Sequence, residues 1–336
     1  MQLTTIGLDL AKHVFQVHGV DTAGTIVLKR RLRRGQMMAF FAGLAPCLVG
    51  MEACATAHFW ARELTALGHD VRLMPPHYVK AYVTRGKNDA ADAAAIGEAV
   101  ARPSMRFVPV KSEAQQAALM PHRARDLLMR QRTQLINAVR GHLAEFGIIE
   151  AQGAWNLPRA LAHLETGGEL PEVARQVLQL LAAQLDEAEQ RIEDLDTQIA
   201  VWHKASPVSQ RLATIPGIGP LVATAIAATV PNADAFRSGR EFAAWLGLVP
   251  RQRSTGGKQR LGRISRAGDG YIRRLPIIGA QAVLLRSKAA HADPWVQGLL
   301  ARRPRLVVAA ALANKTARVA WAVMTKGQPY RQPAAA

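Results

Sequence analysis

Cysteine is scarce in this sequence, since only Cys47 and Cys54 occur among 336 residues. Two cysteines cannot form a disulfide framework, and no zinc-ligand spacing surrounds them. Long apolar runs are also missing, because stretches such as residues 220–230 and 306–313 are too short to span a bilayer. The N-terminal stretch lacks a basic region followed by an apolar one, so we expect no signal peptide and no membrane association. These absences predict a protein of a reducing, bacterial cytoplasm.

Acidic residues are few as well, with 25 Asp and Glu against 43 Lys and Arg, which gives a formal net charge of +18. A compact protein with that self-repulsion is favoured by a polyanion, and the common intracellular polyanions are nucleic acids. The alternative is a soluble basic protein without such a partner. About half of the residues are apolar, so the chain is globular, and its length allows two domains.

The first hundred residues alternate between strand and helix signals. Strands are predicted at residues 3–8, 13–20, 25–31, 47–51 and 70–74, and helices at 36–44, 57–67 and 79–101. Gly68 is a natural left-handed end for the second of these helices. Three strands followed by alternating helices and strands is the order of an RNase H-like (RuvC-like) α/β domain, although other α/β folds begin similarly.

Beyond this region the charge and periodicity change along the chain. Residues 112–146 are predicted as a helix that is basic on its exposed side, and the Gly- and Pro-containing stretch that follows as a linker. Between residues 237 and 274 ten basic residues stand against two acidic ones. The predicted organisation is an α/β catalytic domain with its basic helix (1–147), a linker (148–171), a coiled-coil helix (172–204) and a mainly helical C-terminal domain (205–330).

One long apolar seam gives the clearest periodic signal. Its members step alternately by three and four residues: Leu178, Leu181, Leu185, Ala188, Ile192, Leu195, Ile199 and Trp202. Such a seam, held for more than three heptads, is typical of a coiled coil. It predicts either a coiled coil between subunits, which we favour, or an intramolecular helical pair.

Four carboxylates of the N-terminal region form the candidate metal site. Asp9 and Glu52 end predicted strands, and Asp89 and Asp92 lie three residues apart on one helix face. In an RNase H-like sheet the first and fourth strands are neighbours, so all four acids could meet. Carboxylates that close together require a cation, and Mg²⁺ prefers oxygen ligands. The alternative for each acid is a helix cap or a solvated surface position.

Two motifs of the C-terminal domain indicate contact with phosphate. Gly217 and Gly219, between apolar helical stretches over residues 212–230, form a helix-hairpin-helix signature that lets backbone N–H groups approach a phosphate. The alternative is an ordinary tight helix turn. A basic loop at residues 250–266 then surrounds Ser254 and Thr255 with the cations Arg251, Arg253, Lys258, Arg260 and Arg263. A hydroxyl in this setting either binds phosphate or attacks phosphorus.

The motifs together match a known family in order and spacing. They read IGLDLAK, GMEAC-x-TAHFWA, RGKNDAADAAAI, IPGIGP, LGLVPRQRSTGGK, RISRAGDGYIRR and NKTARVAWAV. Over nearly its whole length the chain resembles the DEDD transposases of bacterial insertion sequences. The resemblance is to the IS-one-ten group, more closely to its IS-eleven-eleven subgroup, and to the related Piv-type DNA invertases.

The resemblance implies a function and a set of roles. Asp9, Glu52, Asp89 and Asp92 fall on the family's metal-binding positions, and Ser254 on its serine nucleophile, with Thr255 as the other candidate hydroxyl. It implies a homo-oligomer, a dimer or tetramer, assembled through the coiled coil. A structured noncoding RNA made by the element would pair with donor and target DNA. Pro276 departs from the family, which usually has Leu there, and predicts a kinked helix or a helix start.

We therefore predict a transposase, a site-specific recombinase that acts with Mg²⁺ on DNA at the bacterial nucleoid. Two other functions stay open. In a RuvC-like, structure-selective DNA endonuclease, Ser254 would only bind phosphate. In a DNA-binding protein without enzymatic activity, the C-terminal motifs alone would matter.

Overall fold

The computed structural model describes residues 2–83, 88–149, 151, 153, 156–162, 170–230 and 232–331. The chain folds as two units, Met1–Ala114 and Gln115–Ala336. The first unit is a mixed α/β structure, and the second is mostly helical. This arrangement agrees with the predicted α/β and helical parts.

The first unit contains a five-stranded sheet. Its strands are β1 (Thr5–Asp9), β2 (Val14–Val20), β3 (Ile26–Arg33), β4 (Leu48–Glu52) and β5 (Asp70–Met74). The spatial order is β3-β2-β1-β4-β5, with antiparallel pairing from β1 to β3 and parallel pairing from β1 through β4 to β5. The predicted adjacency of the first and fourth strands is confirmed, and each predicted strand lies within two residues of an observed one.

Helices cover both faces of this sheet. They are α1 (Met37–Ala42), α2 (Ala57–Ala66), α3 (Pro76–Val79) and α4 (Asp89–Val100). Ile6 and Leu8 of β1 are buried in a cluster with α1 and α2, whereas Ile96 and Val100 of α4 belong to a second cluster. Helix α2 stops before Gly68, whose φ of 92° is the predicted left-handed conformation.

The predicted helix at residues 79–101 is interrupted: Val79 ends α3, Lys80–Tyr82 form a 3-10 helix, and α4 begins only at Asp89. Val83 and Asn88 have extended backbone conformations, and residues 84–87 lie outside the described residues. Asn88 instead caps α4, because its side-chain oxygen accepts a hydrogen bond of 2.8 Å from the Ala91 amide. Asn is a strong N-cap residue, so the helix begins at Asp89.

The second unit is built from ten α-helices, a 3-10 helix (Ala233–Ala235) and one short hairpin among the described residues. The elements are α5 (Glu113–Ala144), α6 (Leu157–Ala162), α7 (Glu172–Ala205), α8 (Pro207–Ala213), α9 (Pro220–Thr229), α10 (Gly239–Trp245), β6 (Pro250–Gln252), β7 (Leu261–Ile264), α11 (Gly270–Arg286), α12 (Lys288–Ala292), α13 (Pro294–Leu300) and α14 (Arg305–Lys326). Of the predicted linker at 148–171, residues 150, 152, 154–155 and 163–169 lie outside the described residues, and its described part includes helix α6.

Helices α5 and α7 pack against each other in opposite directions. Arg125 pairs with Asp196, with nitrogen–oxygen distances of 2.5 and 3.0 Å, and Arg132 pairs with Glu189 at 2.6 Å. The second pair lies seven residues later on α5 and seven residues earlier on α7, so the two helices are antiparallel. Ile136, Val139 and Leu143 of α5 form a buried cluster with seam residues that include Leu178 and Leu185.

This packing favours the intramolecular alternative for the apolar seam. The seam residues Leu178, Leu185, Ala188, Ile192 and Ile199 are buried within the single chain. A coiled coil between subunits through the same seam would have to displace these intramolecular contacts. From Gln115 onward α5 lies in the second unit, which differs from the predicted grouping of this helix with the first domain. Its ion pairs and apolar contacts with α7 explain why.

Helix α14 is long, apolar and packed in the core of the second unit. By length and composition it is the one described helix that could cross a membrane, with a mean hydropathy of 1.3. Its residues Val308, Ala313, Ala317 and Ala320 are buried in the largest core cluster of the chain. Pro276 is buried inside α11, which continues on both sides of it, so this proline does not begin the helix as one alternative had it.

Candidate carboxylate site and serine hairpin

Asp9 and Glu52 end two adjacent parallel strands. Leu8 of β1 lies opposite Met51 of β4 in the parallel ladder, so the next residue of each strand lies at the same edge of the sheet. Those residues are Asp9 and Glu52, and both are partly buried. The sheet register alone therefore brings the first two predicted carboxylates to one edge.

Helix α4 adds Asp89 and Asp92, both in its first turn. Carboxylates in the first turn of a helix are stabilised by the partial positive charge of its N-terminus. The helix approaches β1 closely, because Gly7 has no side chain: a Cβ there would lie 2.0 Å from the Ala93 carbonyl oxygen. A glycine in the middle of β1 is thus what lets α4 lie against the sheet.

The four carboxylates act on one another electrostatically. Burial raises the pKa of Asp9 to about 6, and the charges of Asp92 and then Asp89 add to this rise. Burial also raises the pKa of Glu52, with Asp9 and Asp92 as the charged contributors. Like charges raise each other's pKa when they lie near one another, so the fold gathers all four acids in one region.

This set of donors suits a hard divalent cation such as Mg²⁺, which prefers oxygen ligands and keeps part of its water shell. A cation would also offset the repulsion from Asp92 and Asp89, which adds to the rise that burial causes in the pKa of Asp9. Within the described parts of the chain, no group of three or more His, Cys, Asp or Glu side chains is already close enough to hold an ion. The acids fit such an ion by chemistry and charge, and binding requires them to move closer together.

The predicted basic loop at residues 250–266 is a β-hairpin instead. β6 and β7 pair in antiparallel fashion, and the Lys258 amide donates to the Thr255 carbonyl at 3.1 Å. Gly256 and Gly257 between them have φ of 55° and 75°, which fits a type I′ turn. The Thr-Gly-Gly-Lys sequence therefore closes a two-residue hairpin, a signal that the loop interpretation missed.

Ser254 lies one residue before this turn and is exposed. Its Oγ accepts a hydrogen bond of 2.8 Å from Nε2 of Gln252. Ser254 belongs to the second unit, whereas the four carboxylates belong to the first. Arg251 has a structural contact, because its Nε and Nη2 donate to the Ser265 carbonyl at 3.1 and 2.9 Å.

The helix-hairpin-helix signature corresponds to α8, a tight turn and α9. Gly217 has a φ of 84°, and a Cβ there would meet the backbone of Gly279 in α11 at 3.1 Å. Gly217 therefore also serves packing against α11, whereas Gly219, which precedes α9, faces open space. A cavity of about 860 Å³ lies beside the turn, and Arg130 and Arg274 line part of it.

Two family models match the chain. A model described as a transposase of the IS116/IS110/IS902 family matches residues 209–295, and a DEDD transposase model of the IS110 type matches residues 6–148. A protein of Pseudomonas aeruginosa named "Probable family 20 transposase" is 52% identical over an alignment of 336 positions, which covers 98% of this chain and 99% of that protein. The chain belongs to the IS110 group of DEDD transposases.

Other members of this transposase group are similar over the same length. The transposase for insertion sequence element IS1328 of Yersinia enterocolitica is 41% identical, covering 98% of each chain. The transposase for element IS1111A of Coxiella burnetii is 39% identical, covering 97% of this chain and 91% of that one. The chain is thus a DNA transposase of an insertion sequence. One matched model spans the four carboxylates, and the other spans the helix-hairpin-helix turn and Ser254.

Sequence reasoning missed several structural features of the transposase. Thr56, which precedes α2, has a φ of 69°, although left-handed conformations are rare for β-branched residues. Cys54 is exposed at the surface beside the acids, and its partial desolvation, followed by the charges of Glu52 and Asp9, raises the pKa of its thiol. His122 of α5 is buried and hydrogen-bonds through Nδ1 to the Tyr271 hydroxyl at 3.0 Å. No local pattern marks any of these contacts.

Proposed function

We propose that this transposase cuts and rejoins donor and target DNA with a Mg²⁺ ion held by Asp9, Glu52, Asp89 and Asp92 and with a covalent step at Ser254. The observation that carries the proposal is geometric: the sheet register brings Asp9 and Glu52 to one edge, and burial and then neighbouring carboxylates raise the pKa of both. Carboxylates in this arrangement are stabilised in their ionised form by a cation. The strand order β3-β2-β1-β4-β5 supports an RNase H-like (RuvC-like) fold for the first unit.

When bound at these acids, Mg²⁺ supplies charge stabilisation at a phosphodiester. Ser254 supplies the nucleophile: its Oγ forms a bond to phosphorus while the bond from phosphorus to the leaving sugar oxygen breaks. The hydroxyl proton passes to a base, and the leaving oxygen takes up a proton. A sugar hydroxyl of the other DNA then attacks the same phosphorus, which re-forms a phosphodiester and releases Ser254.

The proposal also includes partners. A structured noncoding RNA encoded by the element would select donor and target by base pairing, which rests on the resemblance to the group. We also propose a homo-oligomer, a dimer or tetramer. Because α5 and neighbouring helices cover much of the apolar seam of α7, this oligomer would need surfaces besides that seam. The net charge of +18 supports work on DNA at the nucleoid.

The test is a search for a covalent protein–DNA adduct that survives heat and detergent. Purified protein is incubated with Mg²⁺, donor and target DNA, and RNA transcribed from the sequence flanking the gene. The variants are Ser254→Ala, Thr255→Ala and Asp9→Ala, with Asp70→Ala as a matched exposed acid outside the site. We expect an adduct in the wild type and in Asp70→Ala, and none in Ser254→Ala or Asp9→Ala.

Other outcomes assign different chemistry. An adduct lost in Thr255→Ala but kept in Ser254→Ala would move the nucleophile to Thr255. Free cleavage products without an adduct, still formed by Ser254→Ala, would instead leave a metal-dependent endonuclease. If the yield of adduct were the same with and without the RNA, the guide RNA would no longer be part of the proposal.

A further inference from the structure

The hairpin that carries Ser254 has two chemically different faces. Side chains of directly opposed residues lie on the same face of a β-ladder, and successive residues alternate between faces. Thr255 opposes Lys258, and the Arg253 amide donates to the Arg260 carbonyl at 2.8 Å. These two pairs are two residues apart on each strand, so all four side chains share one face. We name Arg253, Lys258 and Arg260 the cationic face.

Ser254 lies on the opposite face. It alternates with Arg253 and Thr255 along the strand, and it shares its face with Gln252, which donates to its Oγ at 2.8 Å. Gln252 opposes Leu261, and the register places Gln259 on this face as well. The face that carries Ser254 near the turn is therefore uncharged.

Among the described residues, no carboxylate pairs with the cationic face. Arg253 and Arg260 are like charges directly opposite each other, which destabilises a hairpin. Neither they nor Lys258 form an ion pair with any carboxylate of the described residues, and all three are exposed. Arg251 differs, because its guanidinium donates to the Ser265 carbonyl. Three exposed cations on one face of a short hairpin repel one another, and an anion that binds across them relieves this repulsion.

We propose that the cationic face binds the phosphodiester backbone of one nucleic-acid strand while Ser254, on the other face, addresses a different strand. The ligand is a nucleic acid because the chain is a DNA transposase, and phosphate is the anion that its substrate offers. A slender β-ribbon can enter a groove or lie between two backbones. The role of Ser254 in this arrangement rests on the proposed function, whereas binding by the cationic face does not.

The test measures affinity as a function of salt for the full chain. Labelled single-stranded DNA, duplex DNA and RNA of one sequence are titrated between low and moderate NaCl concentrations, without Mg²⁺. The variants are Arg253→Gln, Lys258→Gln and Arg260→Gln. Loss of one phosphate contact reduces the slope of log affinity against log salt by about 1. We expect that reduction in each variant for at least one of the three probes, and the probe affected identifies the strand.

A charge relocation separates a specific face from general basicity. The double variant Arg260→Gln with Gln259→Arg keeps composition and net charge but moves one cation to the face of Ser254. We expect it to behave like Arg260→Gln alone. A slope restored to the wild-type value, or single variants that leave all slopes unchanged, would overturn the proposal. Thermal unfolding of each variant checks that the fold is kept. We expect it to be kept because the substituted positions are exposed.

The two proposals can fail separately. Ser254→Ala should bind all probes like the wild type, because its face is not the cationic one. Altered slopes with no adduct at Ser254 would keep the cationic face and remove the nucleophile. An adduct at Ser254 with unaltered slopes would keep the nucleophile and remove the cationic face.

Discussion

Gly97 of α4 lies directly over Gly7 of β1, so that a Cβ on Gly7 would fall 2.4 Å from the Gly97 amide nitrogen. Alanine at position 7 therefore forces the helix away from the sheet. We expect Gly7→Ala to lower the free energy of unfolding by about 3 kcal/mol, as for strong overpacking of a core. It should also weaken Mg²⁺ binding, because Asp89 and Asp92 move with the helix. Thermal unfolding and calorimetric titration with Mg²⁺ measure the two effects.

Gly97→Ala is the matched control for this contact. A Cβ on Gly97 would lie 3.3 Å from the Gly7 amide nitrogen, which small shifts can accommodate. Alanine also favours a helix over glycine by about 1 kcal/mol. We expect a near-neutral change. Equal losses in the two variants would contradict the close approach on the Gly7 side.

Asp9 should destabilise the metal-free protein at neutral pH. Its folded-state pKa of about 6 lies above the usual 3.8, so its favourable contribution is complete below pH 3.8 and is lost as pH rises through 6. We expect Asp9→Asn to stabilise the metal-free protein by about 1 kcal/mol at pH 7.5, after allowance for partial exposure, and little at pH 4. Urea unfolding across this pH range measures the difference.

Mg²⁺ gives the complementary result. An ion that binds only the folded state raises its stability by RT ln(1 + c/Kd), where c is the free Mg²⁺ concentration, so the gain grows with the logarithm of the ion concentration. We expect Mg²⁺ to raise the unfolding temperature of the wild type at pH 7.5 and to have a much smaller effect on Asp9→Asn. An equal rise in both proteins would mean that the ion binds elsewhere.

His122 and Tyr271 form a buried polar pair whose members depend on each other. Tyr271→Phe leaves the His122 Nδ1 without its partner, and we expect a loss of about 2 kcal/mol. Replacing both residues with Phe should cost less than the two single changes together, because no unpaired polar atom is left. A double-mutant cycle by chemical denaturation measures this coupling, and additive losses would contradict the pairing.

The same histidine sets an acid limit on stability. Burial, and then the charges of Arg125 and Arg123, lower the pKa of His122 to about 4. Its contribution is present above pH 6.5 and is lost as pH falls toward 4, because the unfolded chain takes up the proton first. We expect His122→Phe to show a shallower stability loss than the wild type between pH 6.5 and 4. Parallel pH profiles would contradict the assignment.

The seam of α7 should act in folding of the monomer more than in association. Leu185 is 1% exposed and packs toward α5, so Leu185→Ala should cost about 3 kcal/mol. Arg132→Ala removes a partly exposed ion pair and should cost under about 1 kcal/mol. Light scattering and denaturation at several concentrations are the measurements. A folded Leu185→Ala protein that merely dissociates would support a coiled coil between subunits instead.

Local patterns predicted the strands and the ends at which Asp9 and Glu52 lie, because period-two alternation and turn residues are local signals. The beginning of α4 at Asp89 was missed, although Asn88 is a strong cap, because the apolar pattern before it resembles a helix. The hairpin of Ser254 was missed because charge dominated the interpretation of this stretch. Contacts such as Gly7 with Gly97 could not be predicted, since they depend on how distant elements pack.

The apolar seam of α7 shows a further limit of prediction from sequence. A heptad pattern specifies that a helix buries one stripe, and it leaves open which helix covers it. The Arg125–Asp196 pair decides that here, because the two charges lie on different helices, 71 residues apart.

The antiparallel packing of α5 and α7 has a regular spacing of seven residues along both helices. Contacts between the helices repeat every seven residues. If seven residues were removed from each helix at facing positions, every remaining residue would still lie opposite a residue of the same type on the other helix. The stripe would rotate by only about 20°. The pair of helices would shorten by about 10.5 Å, since a helix rises about 1.5 Å per residue. Related chains could therefore differ in the length of this helix pair by whole repeats while they keep the same packing.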